Sequence, residues 1–268
     1  MSKRSHMGSP QHWRSAQTSS LQALPCPVYF RAYPIPAGTR VEAHHHRWWQ
    51  FMYAREGLIQ VQAESHLLVL SGEYGMWIPP GCEHTLWTHD NVALESLYID
   101  AAWINLQRDV ATVVAVDPFA REFIHHCCTH LPDAWPATDK NTQKVQVLLD
   151  HLQSSPETSL TLPFPAEGAL LTLCRDVQHA PHLPWLLEQV AQRVAMSPRT
   201  FSRHFTRATG IPWNQWRQRL RLFTALTQLR AGSSVTTAAL AVGYATPSAF
   251  IFAFHQLFGV APARFLRR

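Results

Sequence analysis

A histidine-rich stretch near the N-terminus contains the first side chains that could do chemistry. The segment GTRVEAHHHRWWQFMYAREG runs from Gly38 to Gly57 and holds three consecutive histidines, two tryptophans and a glutamine. On a β-strand, His44 and His46 point to one face and His45 to the other. Imidazole is a ligand for Zn, Ni, Cu and Fe. The pattern is consistent with a metal site, a sensor pocket, or a strand pair that is merely rich in histidine.

The last third of the chain carries a strong positive charge. Residues 181–268 contain 11 Arg, no Lys and one acidic residue, Glu188, which gives a net charge of +10. The preceding 180 residues carry 12 basic and 17 acidic groups, a net charge of −5. This separation indicates a nucleic-acid-binding module joined to a partner domain. The alternative is a solvated, arginine-rich helical face.

An internal repeat with an offset of 49 residues lies in this basic third. The offset aligns six pairs, namely Ser197 with Thr246, Pro198 with Pro247, Phe201 with Phe250, Phe205 with Phe254, Gly210 with Gly259 and Arg203 with Phe252. Each copy therefore has a hydroxyl N-cap, a proline in the first turn and a terminal glycine. Each copy also follows a shorter amphipathic segment, so the pattern predicts two helix-turn-helix units. A long helix between them could place both in successive major grooves, ~34 Å apart.

The two predicted recognition helices present different outward side chains. The first presents Arg199, Ser202, Arg203, Thr206 and Arg207, and arginine can bind guanine or neutralise phosphate. The second presents Ser248, Ile251, Phe252 and His255, without a permanent charge. We expect one half-site specified by hydrogen bonds and a second that is A·T-biased and weakly specified. Alternatively, Phe252 packs inward and the second unit is a clamp or a polymerase contact.

The segments SPRTFSRHFTRATGIPWNQWRQRLRL and VTTAALAVGYATPSAFIFAFHQLFGVAPARF resemble the AraC/XylS family of bacterial transcription regulators. The resemblance covers about residues 183–268. It implies an all-helical domain that binds double-stranded promoter DNA and contacts RNA polymerase. Matching positions place Arg199, Ser202 and Arg203 on bases, and then Ser248, Ile251 and Phe252. Many family members carry arginine at the position of Phe252, where this chain departs.

The histidine stretch resembles the first motif of the cupin superfamily, with glutamine at position 50 where glutamate is usual. The segment PPGCEH resembles the second motif through Pro79, Gly81 and His84, although Gly72 is one residue out of register and Thr88 replaces asparagine. The resemblance implies a small β-barrel that brings His44, His46 and His84 together, with Gln50 as a fourth ligand of a divalent metal (Zn, Ni, Fe or Cu). The alternative is a metal-free pocket lined by these histidines. The tryptophans Trp48, Trp77 and Trp87 would line an effector pocket, or some of them would belong to the core.

The fold class that follows is α+β with several domains: a small cupin-like β-barrel and an all-α double helix-turn-helix. We expect a disordered tail over 1–20, the sensor barrel over 21–102, a helical connector with a possible homodimer contact over 103–180, and the DNA-binding domain over 181–268. The absence of a signal peptide, of a membrane-length apolar run and of a disulfide framework favours the cytoplasm.

The predicted function is transcription regulation in response to a small molecule or metal bound in the barrel. The alternatives are a ligand-independent DNA-binding protein and a metal-dependent cupin enzyme. An enzyme would not need a double helix-turn-helix with a charge of +10, so we expect no catalytic activity.

Overall fold

The computed structural model describes residues 13–16, 21–88, 91–131, 139–158 and 160–266. In chain order, its strands are β1 Arg14–Ala16, β2 Val28–Ile35, β3 Thr39–His44, β4 Trp49–Glu56, β5 Ile59–Ala63, β6 His66–Leu70, β7 Tyr74–Ile78, β8 His84–Thr88, β9 Val92–Ile99, β10 Thr112–Ala115 and β11 Thr161–Pro163. Its α-helices are α1 Pro118–His130, α2 Asp139–Gln153, α3 Gly168–His179, α4 Leu187–Arg193, α5 Pro198–Thr209, α6 Trp213–Arg230, α7 Val235–Ala241, α8 Pro247–Phe258 and α9 Pro262–Phe265. A short 3₁₀ helix spans Ala101–Trp103.

The N-terminal half is built from two β-sheets. The first has the order β1-β3-β8-β5-β6-β11, and the second has the order β10-β7-β4-β9-β2. Neighbouring strands are antiparallel except β1 and β3, which are parallel. Along β4, Met52 packs with the other sheet, whereas Phe51 and Tyr53 face the helical side. This alternation follows from the two-residue period of a strand and gives the second sheet two apolar faces.

Helices α1 and α2 cover the outer face of the second sheet. Helix α1 begins at Pro118 after Asp117, whose side chain accepts a hydrogen bond from the Ala120 amide at 2.8 Å. Its buried face packs on the sheet, and His125 Nδ1 lies 2.6 Å from the buried carboxylate of Glu95 on β9. The buried residues of α1 include Ile124 and Cys127.

The C-terminal half repeats one helical unit twice. Helix α5 follows Ser197, which accepts a hydrogen bond from the Thr200 amide, and α8 follows Thr246, which accepts one from the Ala249 amide. Both helices end at a glycine in the left-handed conformation, with φ of 73° at Gly210 and 72° at Gly259. The four phenylalanines of the repeat have no exposed surface: Phe201, Phe205, Phe250 and Phe254. The predicted caps, stops and core faces of the repeat are confirmed.

The two halves meet where α6 contacts β11. Trp216 Nε1 on α6 donates a hydrogen bond to the carbonyl oxygen of Pro163 at 2.6 Å. Arg219 Nη1 donates one to the carbonyl oxygen of Thr161 at 3.0 Å, and the ring of Phe164 lies edge-on to Trp216. Because these donors bind backbone carbonyls of the edge strand β11, helix α6 is attached to the first sheet.

The fold class is confirmed: a β-rich domain of two sheets precedes a helical region with two helix-turn-helix units. Two details differ from the expectation. Arg14–Ala16, inside the predicted disordered tail, forms a strand with Thr39–Val41; residues 1–12 and 17–20 lie outside the described residues. Thr112–Ala115 and Thr161–Pro163, inside the predicted helical connector, complete the two sheets because they pair with β7 and β6. Among the described residues, none of the helices is long and apolar enough to cross a membrane.

Candidate functional site

A cavity of about 330 Å³ lies in the β-rich domain beside the histidine stretch. A volume of this size is at the lower end of the range for small-molecule sites. The cavity is lined by residues of both sheets and of the N-terminal segment, namely Ala16, Leu21, Arg31, Tyr33, Pro34, Ile35, Pro36, Thr39, Val41, His44, His45, His46, Trp48, Gln50, Met52, Leu86 and Tyr98. The lining combines apolar side chains with a few polar groups, which is typical of an effector pocket.

The structure brings the three predicted histidines together. The ring centroids are 4.2 Å apart for His44 and His84, 5.3 Å for His46 and His84, and 6.4 Å for His44 and His46. The strand β3 ends at His44, so His45 and His46 do not continue its alternation. His45 is exposed, as predicted, but it also belongs to the rim of the cavity.

Hydrogen bonds to backbone carbonyls determine the tautomers of His44 and His84. Nδ1 lies 2.9 Å from the carbonyl oxygen of Glu42 in His44, 2.7 Å from that of Trp48 in His46, and 3.0 Å from that of Cys82 in His84. Burial lowers the pKa of all three imidazoles, to about 3 for His84. The rings are therefore neutral at pH 7, and in His44 and His84 the proton is on Nδ1 and a lone pair is on Nε2.

Gln50 connects this cluster to the second sheet. Its side-chain amide lies 2.9 Å from His46 Nε2 and 3.1 Å from Ser96 Oγ. Gln50 Oε1 faces His46 Nε2, and Gln50 Nε2 donates a hydrogen bond to Ser96 Oγ. Both ring nitrogens of His46 face oxygen atoms, whereas the buried Nε2 of His84 has no hydrogen-bond partner among the described residues.

The described residues give no support for the expected metal. Three neutral imidazoles are suitable donors in principle, and Gln50 Oε1 lies 2.9 Å from Nε2 of His46. Within the described ranges, there is no group of three or more His, Cys, Asp or Glu side chains that could hold a metal ion. The prediction of a metal held by His44, His46, Gln50 and His84 therefore gains no support, and we derive no chemistry through a metal.

The three predicted pocket tryptophans lie in different places. Trp48 lines the cavity and stacks on His46, with ring planes 2° apart. Trp77 is fully buried against Trp49 and Phe51 on the helical side of the second sheet, so its assignment to the pocket is wrong. Trp87 is also outside the cavity: its Nε1 donates to Gln60 Oε1 at 2.8 Å. Because side chains alternate between the two faces of a strand, both rings point away from the cavity. This orientation could not be predicted without knowing where the strands begin and end.

Sequence reasoning missed several residues of the cavity. Arg31, Tyr33 and Tyr98 come from β2 and β9, which carry no recognisable motif. The segment VYFRAYPI does contain a signal, because Tyr29, Arg31 and Tyr33 alternate and so share one face of a strand. Nothing in the sequence shows that this face borders the histidines.

The second candidate surface is the outer face of the two helix-turn-helix units. On α5, Arg199, Arg203, Thr206 and Arg207 are exposed. Ser202 is half-buried, and its hydroxyl donates to the carbonyl oxygen of Pro198 at 2.9 Å, so only its lone pairs are available. These side chains lie on the face opposite the two buried phenylalanines and can contact DNA together.

The corresponding face of α8 is apolar. Ser248 and His255 are exposed, and the exposed fractions of Ile251 and Phe252 are 39% and 67%. The alternative in which Phe252 packs inward is therefore wrong. Leu240 on α7 is also exposed, with an exposed fraction of 53%. The second unit thus presents an uncharged surface where the first presents three arginines.

Comparison with known protein families matches both halves of the chain. Residues 190–268 match the model of a helix-turn-helix domain, and residues 29–114 match that of an AraC-like ligand binding domain. The HTH-type transcriptional regulator NimR of Escherichia coli strain K12 is 32% identical over 242 residues, which cover 88% of this chain and 87% of NimR. This chain belongs to the AraC family of transcription regulators. As an AraC-family protein it is a DNA-binding regulator with a ligand-binding domain, and its relatives are regulators and not enzymes.

Two solved structures are among those similar to this chain. Wild-type ToxT from Vibrio cholerae with a bound unsaturated fatty acid is 10% identical, covers 89% of this chain and 94% of its own, and gives a TM-score of 0.38. The DNA-binding domain of AdpA in complex with a target DNA is 29% identical, covers 38% of this chain and 92% of its own, and gives a TM-score of 0.35.

Proposed function

We propose that this AraC-family regulator binds a small organic effector in the 330 Å³ cavity without a metal, and that binding changes its affinity for promoter DNA. The observation that carries the proposal is the cavity itself. It lies within the segment that matches the ligand-binding domain and combines apolar walls with the neutral His44, His46 and Gln50. Polar groups of this kind orient a small molecule, and apolar walls supply the affinity.

The contact between β11 and α6 supports coupling between effector and DNA. The cavity is lined by β3 and β8 of the first sheet, and β11 is the edge strand of that sheet. Helix α6 carries the two helix-turn-helix units and donates hydrogen bonds to β11 through Trp216 and Arg219. Effector binding can change the affinity for DNA only if the effector binds more tightly to one arrangement of this contact than to another.

The DNA-reading residues are part of the same proposal. Arg199, Arg203 and Arg207 of α5 would bind bases and phosphates in one half-site. With 18 residues, α6 is about 27 Å long, a suitable connector between units in successive grooves. A cytoplasmic location, a contact with RNA polymerase and a homodimer also belong to the proposal.

The test compares effector response in two tryptophan variants of β1. Operators are identified by chromatin immunoprecipitation, and operator affinity is measured by fluorescence anisotropy with and without a panel of small organic acids, amides and sugars. Ala16→Trp fills the cavity from its edge, whereas Ser15→Trp adds the same ring at an exposed neighbour whose side chain points the other way.

We expect at least one compound to change the operator Kd of the wild type and of Ser15→Trp, but not that of Ala16→Trp. An unchanged Kd in all three proteins, with equal promoter occupancy in cells, would show a ligand-independent DNA-binding protein. A response that requires added Zn²⁺ and disappears with chelator would restore the metal site.

A further inference from the structure

The cavity contains a cation without a counter-ion. Arg31 is the only Arg or Lys among the described residues that line it, and none of the described lining residues is Asp or Glu. The ion pairs found in the described parts of the chain do not involve Arg31. A guanidinium at a largely apolar pocket therefore has its charge available for a ligand.

Two tyrosines hold this guanidinium in place. Its central carbon lies 5.9 Å from the ring centroid of Tyr29 and 5.4 Å from that of Tyr33, within cation–π distance of both rings. A cation–π contact does not supply a hydrogen-bond acceptor to the N–H groups of the guanidinium. No hydrogen bond within the described residues uses those N–H groups, so the geometry is prepared for a planar acceptor in the guanidinium plane.

The surroundings of Arg31 favour a ligand that joins a hydrogen-bond acceptor group to an apolar organic part. Tyr33 and Tyr98 also line the cavity, and burial raises the pKa of Tyr98, so its hydroxyl stays protonated. Ile35, Met52 and Leu86 provide apolar walls within the same cavity. A ligand that fills the cavity thus meets one positive charge at one end and mostly uncharged surface elsewhere.

We infer that the effector is a small carboxylic acid with an apolar body, whose carboxylate is bound by Arg31. The inference rests on the proposed function. Carboxylate is the anion that matches a guanidinium fork with two parallel hydrogen bonds. A phosphate monoester carries nearly two charges, whereas the described lining supplies one fixed cation, and a sugar would leave the apolar walls without contacts.

The test uses pairs of ligands that differ only in charge. The full-length protein is titrated by calorimetry at pH 7.5 with benzoate, cinnamate, hexanoate and decanoate, and with the primary amide of each acid. Arg31→Met removes the charge and keeps much of the apolar stem. Arg31→Lys keeps the charge without the planar fork. Arg40→Met is the matched control, since Arg40 is exposed on β3 and is not part of the cavity.

We expect at least one acid to bind the wild type roughly 10- to 100-fold more tightly than its amide, the range for a charge-assisted hydrogen bond. Arg31→Met should abolish this difference, Arg31→Lys should keep part of it, and Arg40→Met should keep all of it. Thermal unfolding without ligand shows that each variant is folded.

Two results would overturn the inference, and they have different consequences for the proposed function. Equal affinity for acids and amides, unaffected by Arg31→Met, would leave an effector pocket that does not select anions. A lack of binding by every compound would reject the carboxylate effector. If, in addition, no compound of the effector panel changed the operator Kd of the wild type, Ser15→Trp or Ala16→Trp, and promoter occupancy was equal in all three, the effector function itself would fail.

Discussion

Replacing Phe252 by arginine tests how the second helix-turn-helix unit reads DNA. The exposed fraction of Phe252 is 67%, so the folded protein buries only about a third of the ring. Full burial of a phenylalanine is worth about 1.5–3 kcal/mol, and Phe252→Arg should therefore cost less than about 1 kcal/mol of unfolding free energy. A buried position would instead place an unpaired charge in the core and cost several kcal/mol.

The same substitution should create sequence preference. Arginine at position 252 aligns with Arg203 in the 49-residue repeat and can bind guanine with two hydrogen bonds. A bidentate contact discriminates by about 1–3 kcal/mol, which corresponds to a preference of roughly 5- to 150-fold for guanine at one position. In the wild type, Ile251 and Phe252 can touch a thymine methyl group but cannot read guanine.

The assay is binding-site selection followed by titration of the selected sites. Leu240→Arg is the matched control, because it adds the same charge at an exposed apolar position of the same unit but on α7. It should raise affinity for all sequences alike through phosphate contact. If Phe252→Arg unfolds the unit, or if its selected half-site equals that of Leu240→Arg, this helix face does not read the major groove.

Two other predictions concern the first recognition helix and the histidine cluster. Arg203→Ala should relax base preference at one position by about 1–3 kcal/mol. Arg207→Ala should instead weaken binding to all sequences and reduce the salt dependence of binding. A binding-site selection in which Arg203→Ala keeps the full base preference would contradict the assignment of Arg203. The pKa of His84 is lowered by burial to about 3, so the unfolded chain takes up a proton below pH 6.5 that the folded chain does not. Stability is therefore complete above pH 6.5 and falls as the pH decreases, by about 2 kcal/mol between pH 6.5 and 5.0 from this residue alone. Urea unfolding at pH 7.5 and 5.0 should show a smaller loss for His84→Gln, and an equal loss in both proteins would show that His84 is not the cause.

The sequence alone was sufficient for the helical third. Its signals are local: a hydroxyl N-cap, a proline in the first turn and a glycine stop occur within one helix length and appear twice. Capping depends on residues three positions apart, so no distant contact is needed to place Ser197 or Thr246 at a helix start. The exposed face of α5 follows from the same periodicity once Phe201 and Phe205 are assigned to the core.

The composition of the cavity was decided by tertiary structure. The resemblance to the cupin motifs predicted that His44, His46 and His84 meet, but it did not predict that Gln50 joins His46 to Ser96 of the second sheet. Arg31 comes from β2, Tyr98 from β9 and Leu86 from β8, and only the pairing of strands distant in sequence brings them to one space. Trp77 and Trp87 were placed wrongly for the same reason, since a one-residue change in strand bounds reverses the face that a side chain occupies.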